Sequence, residues 1–416
     1  MRVSNLFTKT SKTSPSDEVA KNAQLLIRAG FINKEMAGVY SYLPLGKKTL
    51  DNIVQIIREE MNRIGGNEIS LTALQQKDAW EASGRWSDEV LDVWFKTKLA
   101  NGTELGLAPT HEEPLTKLMK NFISSYKDLP SYPYQFQIKF RNELRSKSGL
   151  MRGREFWMKD LYSFSRDQAG HDAFYEKAAE AYHKVYERLG LGGFTYKTFA
   201  SGGSFSRYSH EFQTLSDVGE DIIYVHEGKK IAINEEVYTD EVLRDLGVTK
   251  DELVERKAVE VGNIFTLGTR FSDVLDLNYT NEKGERQKVF MGSYGIGPSR
   301  LMGLIAEHFS DEKGLVWPEN IAPAKIYLVS IGQKGSEAAE VLYETLGAKG
   351  IEVLYDDRDV RPGEKFADGE LMGIPYTLTV SDRLVESGQF ELKSRSGDTE
   401  ARLLTQDELF ASISVS

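Results

Sequence analysis

The sequence predicts an α+β protein: a large domain of antiparallel sheet and helices, followed by a small α/β domain. Three observations carry this. Before residue 317, strand-like segments and helices mix without regular alternation. The stretch 317–325, WPENIAPAK, is polar and Pro-rich between two periodic regions. Beyond it, strand and helix patterns alternate, which implies a largely parallel sheet. The expected domains are residues 1–320 and 324–416.

In chain order, residues 17–28 have helical spacing, with Val19, Ala23, Leu26 and Ile27 on one side and Ser16 or Asp17 as cap. The turn at 40–46 launches an amphipathic helix over 47–64. Its stripe is Leu50, Ile53, Val54, Ile57 and Met61, and Gly65-Gly66 ends it. Residues 67–72 read as a strand; 105–114 read as a strand end and a loop opening a helix. A strand over 134–140, a helix over 167–189 and a Gly/Ser loop at 202–206 follow, with strand-like sequence from 212. Residues 235–255 form a charged, helix-prone insert, and 289–308 read as strand, glycine turn and helix. In the small domain, 325–331, 351–355 and 376–380 are strands; 337–346 and 363–372 are helices.

Composition narrows the classes. Hydrophobic content is 40% and charged content 28%, ordinary for a soluble globular chain. No apolar run is long enough to cross a membrane. The first residues lack the apolar core of a secretory signal, so a cytoplasmic location is expected. Cysteine is absent, which excludes disulfides and thiolate metal sites. The six histidines show no metal-ligand spacing. A net charge of −11 argues against non-specific coating of nucleic acid.

Against that acidic background stands a basic island. Residues 139–159 hold seven Lys or Arg against two Glu. Phe140-Arg141-Asn142-Glu143 reads as a strand, a Ser/Gly loop follows, and Arg154-Glu155-Phe156 opens a second strand. Such a hairpin aims an Arg at a phosphate from each side and offers Phe156 as a stacking face for a base; the alternative is a charged surface hairpin.

Other segments admit two readings each. In 291–300, Gly292, Gly295 and Gly297 allow close backbone approach to a ligand, and Arg300 opens the next helix; alternatively it is a surface charge. Thr110 and Glu112 can point the same way in an extended segment and meet a cationic amine, or serve as ordinary helix-start residues, with His111 turned away. Strand alternation puts Glu260 and Gly262 on one face, and Asn263 and Phe265 on the other. Glu260 is a candidate ligand for Mg²⁺ bound to phosphates, or a solvated strand carboxylate. Ser206, His210 and Glu211 suggest a hydrolase triad, but no G-x-S-x-G elbow accompanies them.

In combination and order, these segments resemble a known family. GVYSYLPLG with the following helix and strand resembles the first motif of class II aminoacyl-tRNA synthetases. APTHEE is similar to a Thr-x-Glu amino-acid loop. FRNELR…LMRGREFWMKDLYSF is similar to the second motif, and EVGNIFTLGTRFS with MGSYGIGPSR to the third. DDRDVRPGEKFADGELMGIPY resembles an anticodon-binding domain. The closest resemblance is to the bacterial-type prolyl-tRNA synthetases, over nearly the whole chain.

The resemblance implies a class II catalytic core, ATP and Mg²⁺ as cofactors, L-proline and tRNA(Pro) as substrates, and a homodimer built through the first motif. It implies that Arg141 touches the α-phosphate and the substrate carboxylate. Glu143 faces adenine, Arg152 meets the γ-phosphate, and Arg300 holds the phosphates from below. Phe156 stacks on adenine against Arg300. Glu260 and Asn263 lie beside the phosphates and the metal. Thr110 and Glu112 hold the imino group, while Trp157, Phe265 and Ser293 line the ring slot, with His210 a further proline-binding candidate. Arg145 and Lys147 contact the acceptor stem; Arg358, Arg361 and Lys365 (with Lys334) are anticodon candidates.

Three departures matter. The insert at 224–256 is too short for an editing domain, so no cis-editing is expected and a separate trans-editing deacylase is a candidate partner. The Gly-Gly-Ser…His-Glu-Phe loop is lengthened by Phe205 to Tyr208. Ser293 stands where relatives often have cysteine. Residues 324–416 carry ten Lys or Arg against seventeen Asp or Glu, so RNA must meet a local patch there. A synthetase for another small amino acid, a non-catalytic tRNA-binding paralogue and a ligase for a non-RNA acceptor remain as alternatives.

Overall fold

The computed structural model describes residues 1–144, 146, 148–203, 208–397 and 400–413. It separates into two compact units. One comprises Val54–Ser146 and Arg152–Leu301; the other comprises Met1–Ile53, Lys147–Met151 and Met302–Ser416.

The first unit is organised by a nine-stranded sheet. Its strands are β1 (Asn67–Glu68), β2 (Pro133–Phe140), β3 (Glu155–Ser165), β4 (Thr195–Ser201), β5 (Tyr208–Leu215), β6 (Asp221–His226), β7 (Ile231–Asn234), β8 (Val254–Gly268) and β9 (Phe290–Ile296). The order is β5-β4-β7-β6-β8-β9-β3-β2-β1, with β5 also paired to β8. The central pairs β2–β3, β3–β9 and β9–β8 are all antiparallel. That is the expected α+β architecture.

Helix α1 (Gln168–Arg188) covers one face of this sheet. Asp167 caps it by accepting from the Gly170 N–H at 2.8 Å. His171, Phe174, Tyr175, Ala178, Tyr182, Val185 and Tyr186 are its buried stripe, at helical spacing. Gly262 is required beneath it: a Cβ there would stand 2.4 Å from the Tyr186 hydroxyl. Gly292 faces the same way, since its Cβ would meet His171 at 2.6 Å, so this glycine serves packing rather than ligand approach. A separate core of Leu115, Met119, Phe164, Phe271, Leu277 and Met291 anchors the short helices near the site.

In the second unit a five-stranded sheet is built on three parallel strands, Val353–Asp356, Ile326–Ile331 and Tyr376–Ser381. Two antiparallel strands, Phe390–Ser394 and Arg402–Leu404, extend it. The helices Gln333–Ala348 and Pro362–Met372 run longer than expected, and the closing strands and the helix Gln406–Ile413 were not anticipated. The helix expected over 235–255 breaks into two 3-10 turns around Asp240–Leu246, and β8 begins at Val254. Gly247, in the left-handed conformation at φ 63°, stops that helix.

Candidate active site

The site lies on the sheet face opposite α1. The pleat of β3 decides which side chains reach it. Met158, Asp160 and Tyr162 line a cavity of about 360 Å³. Lys159, with the opposite parity, reaches the helix side, where its Nζ donates to the Tyr182 hydroxyl at 2.6 Å. Thr110, Glu112, Arg141, Glu143, Asn263, Phe265 and Ser293 also line the cavity. The structure thus gathers residues expected from four separated segments.

At one end, Thr110 Oγ1 donates to both Glu112 oxygens at 2.8 and 2.7 Å, and the Tyr162 hydroxyl donates to Glu112 at 3.3 Å. The helix Glu112–Met119 has His111 as N-cap with no side-chain capping bond, so Thr110 orients the carboxylate instead of capping. His111 is fully buried; its Nε2 meets the Thr72 carbonyl at 3.1 Å and its Nδ1 the Lys139 ammonium at 2.6 Å. Because the ammonium only donates, Nδ1 accepts and Nε2–H donates. Burial, and then the Lys139 charge, hold His111 down at about 4. Asp160 completes this buried set, 2.8 Å from Lys139 Nζ. Burial raises the Asp160 carboxyl most, but Lys139, His111 and the Gln135 amide together turn the net direction down.

Arg141 also lines the cavity, whereas Arg152, Phe156, Glu260 and Arg300 are not among its lining residues. Arg141 Nε donates to the Pro109 carbonyl at 3.3 Å, and its guanidinium lies 5.3 Å from the Phe156 ring centroid. Burial, and then the like charge of Arg300, lower its pKa, so these two cations from distant segments act on one another. Arg300 Nη1 donates to the Glu260 carbonyl at 2.5 Å and to its carboxylate at 3.4 Å. Asn263 Nδ2 donates to Glu260 at 2.8 Å. This last bond contradicts the simple alternation that placed Glu260 and Asn263 on opposite faces. Against β5 the register steps from Gly262 opposite Phe212 to Glu260 opposite Gln213, so Val261 is an extra residue. The bulge turns Glu260 to the Asn263 side. Gly295 makes room, since a Cβ there would lie 2.8 Å from Asn263 Oδ1. Burial, and then Glu260, push Glu211 up to about 8.

Other expectations fare differently. The Arg141–Asn142–Glu143 segment lies beyond β2, which ends at Phe140. Arg152 is held by Glu220 at 2.7 Å and Glu143 at 3.3 Å. Trp157 shares the parity of Lys159 and is not among the cavity-lining residues; its N–H donates to Ser299 Oγ at 2.8 Å. His210 also faces the helix side, where its Nδ1 meets the Tyr175 hydroxyl at 2.9 Å. Phe156 already carries the Arg141 guanidinium over its ring. Arg145, Lys147 and residues 204–207 of the lengthened loop lie outside the described residues.

Cavity residues that sequence reasoning did not single out are Arg85, Met158, Asp160, Tyr162 and the 90–93 segment. The parity of β3 after Phe156 could have found three of them. Nothing local marks Arg85.

Comparison with known proteins places this geometry. The model of the tRNA synthetase class II core domain (G, H, P, S and T) matches residues 95–309, and that of the anticodon binding domain matches 325–414. A proline--tRNA ligase of Maricaulis maris is 37% identical over 430 residues, covering 96% of this chain and 96% of that protein. One from Rhodopseudomonas palustris is 37% identical over 439 residues, covering 98% and 99%. The chain belongs to the class II tRNA synthetases, in the proline--tRNA ligase family. A Geobacillus member is 32% identical, with the alignment running over 565 residues against the 416 of this chain. The fold is shared with the prolyl-tRNA synthetase of Cryptosporidium parvum solved with halofuginone and AMPPNP. The TM-score is 0.78 at 17% identity, over 94% of this chain and 76% of that one.

In the family's anticodon-binding region, three of the four candidate cations are engaged internally. Arg358 donates to Asp356 at 2.8 and 2.6 Å and to Asp368 at 2.8 Å. Lys365 is buried and donates to the Asp356 and Ser330 carbonyls. Arg361, before the helix Pro362–Met372, is exposed. Lys334 pairs with Glu386 at 2.7 Å.

Proposed function

We propose that this chain attaches L-proline to tRNA(Pro) in two ATP-dependent steps. The observation that carries the reading is one cavity lined both by Arg141 and by the hydrogen-bonded Thr110–Glu112 pair. Glu112 holds the cationic imino nitrogen, with Thr110 fixing its carboxylate. Phe265 and Ser293, paired across β8 and β9, flank the pyrrolidine ring. Arg141 draws the substrate carboxylate and the α-phosphate of ATP together.

The proline carboxylate is ionised at neutral pH and needs no side-chain base. Its oxygen attacks the α-phosphorus, the bond to the bridging oxygen breaks, and pyrophosphate leaves. Catalysis is placement plus charge stabilisation. Arg141 and Arg300 supply that charge; Arg152 must exchange Glu220 for the γ-phosphate. Glu143 meets the adenine edge and Phe156 its face. The 3′-terminal hydroxyl of the tRNA then attacks the prolyl carbonyl and AMP departs. Arg145 and Lys147 are assigned to the acceptor stem and Arg361 to the anticodon.

Among the described residues no group of three or more His, Asp or Glu is arranged to hold a metal. Mg²⁺ needs no such cage: one carboxylate, waters and substrate phosphates suffice, and Glu260 fits that donor set. The ion would supply further neutralisation of the phosphates.

We assign catalysis to residues 1–320 and anticodon binding to 324–416, in a cytoplasmic homodimer. The short insert at 224–256 supports the absence of cis-editing. A proline cavity rejects smaller alanine by only ~1–3 kcal/mol, so a separate deacylase is a fitting partner.

The test is exchange of labelled pyrophosphate into ATP. Proline should support it strongly and alanine weakly. Exchange with another amino acid alone would reassign the substrate, and exchange without charging of purified tRNA would favour a different acceptor.

A further inference from the structure

Behind Glu112 lies a second carboxylate that the reaction does not touch. Glu113 is fully buried, and Arg85 is 6% exposed. Arg85 Nη1 donates to the two Glu113 oxygens at 3.0 and 3.1 Å, and to Glu112 at 3.3 Å. Ser83 Oγ also donates to Glu113, at 2.7 Å. The guanidinium is fixed in place, 5.1 Å from the Trp80 ring centroid and 5.7 Å from that of Phe271. The Trp94 indole ties down the Arg85 carbonyl at 2.9 Å.

We propose that Glu113 is a positioning residue that holds Arg85 and so keeps Glu112 available for a cationic secondary amine. The inference rests on the assignment of this cavity to proline. One guanidinium stands between two carboxylates, and its shorter contacts are to the one behind. With Glu113 ionised, the Arg85 charge is balanced there and Glu112 presents a net negative charge to the cavity. With Glu113 neutral, Arg85 turns its charge to Glu112 and competes with the substrate.

The arrangement is sensitive to pH. Burial raises Glu113 to about 7, with Arg85 opposing and Glu112 adding to the rise. Charged groups also stand on the packed helices: Lys77, Asp78 and Glu81 on Lys77–Ala82, Lys117 on Glu112–Met119, and Arg270 and Asp273 on Arg270–Val274. The ionisation of Glu113 nevertheless answers first to burial, Arg85 and Glu112. Glu211 also titrates near neutrality, but it is governed by burial and Glu260, at the ATP end.

The experiment is pyrophosphate exchange by the full chain from about pH 6 to about pH 8.5, reading the KM for proline and for ATP separately. In the wild type, the proline KM should rise about tenfold as pH falls through neutrality. Glu113→Gln should have a high proline KM that is flat across the range, with its ATP KM matching the wild type. A variant with wild-type proline KM and pH profile overturns the inference alone. A wild type with no proline-dependent exchange at any pH overturns the proline assignment and the inference with it. If Glu113→Gln fails to fold, Ser83→Ala takes its place. It removes a bond that favours the ionised form, so the acid limb should move to higher pH, and an unmoved limb overturns the inference.

Discussion

The Asn263 side-chain amide reaches the Glu260 carboxylate at 2.8 Å across a β-bulge, although the two residues are three apart on one strand. Glu260 also receives Arg300 at its carbonyl and carboxylate. The bulge thus ties an acid, an amide and an arginine into one unit at the proposed phosphate end. Asn263→Ala removes one donor to a partly buried carboxylate, a loss of about 1 kcal/mol. The ATP KM in pyrophosphate exchange should rise roughly fivefold, with little change for proline. An equal rise for both substrates would show that the bond supports the whole sheet instead.

Arg141→Lys keeps the charge and loses the planar fork. Arg141 stands over Phe156 and against the Pro109 carbonyl, and both contacts depend on guanidinium shape. Exchange should fall at least about 100-fold in kcat, because the lost contact is one made to the transition state. A variant that merely raises KM would place Arg141 in binding alone.

Which parts were legible follows from where the information sits. Arg141, Glu112, Phe265 and Ser293 stand in long contiguous motifs, and all line one cavity. Trp157 stands in the second motif but has the strand parity of Lys159, and His210, outside the motifs, meets Tyr175 on α1. The extra residue at Val261 reverses the parity expected for Glu260, and a bulge has no reliable local signature here. Arg85 enters through a loop far from any motif. Arg358 and Lys365 read as surface cations because Asp368, for the first, and the Ser330 carbonyl, for the second, become neighbours only once the small sheet has formed. The strands 390–394 and 402–404 were missed for a similar reason: they are short, and each takes its register from the strand beside it, 390–394 from Tyr376–Ser381 and 402–404 from 390–394.

The small domain gives a contrast between neighbouring cations. Arg361 is exposed, and Arg361→Ala should raise the tRNA KM roughly three- to tenfold in aminoacylation, with exchange and stability unchanged. Lys365→Met strands the Ser330 and Asp356 carbonyls that its ammonium satisfies. It should cost roughly 1–3 kcal/mol in urea unfolding and change tRNA affinity only through that loss. Reversed results would exchange the two roles.

The buried His111 makes stability depend on pH in a direction that can be worked out. Its folded pKa is about 4, below the ordinary 6.5, because burial and then Lys139 disfavour the imidazolium. Between these values the unfolded chain binds the extra proton, so this residue's contribution grows as pH rises and is lost as pH falls from about 6.5 towards 4. The size is about 3 kcal/mol. Glu113 acts with the opposite sign: its pKa is raised to about 7, so its contribution is full below its ordinary 4.5 and is lost as pH rises through 7. A wild-type profile alone therefore mixes the two. His111→Asn isolates the first, since an amide oxygen can still accept from Lys139 and nothing at that position titrates. The variant should be less stable than the wild type near neutrality, and the gap should narrow by about 2 kcal/mol between about pH 7 and about pH 4.5 in urea titrations. A gap that stays constant over that range would mean that His111 is protonated in the folded protein and that Lys139 does not donate to it.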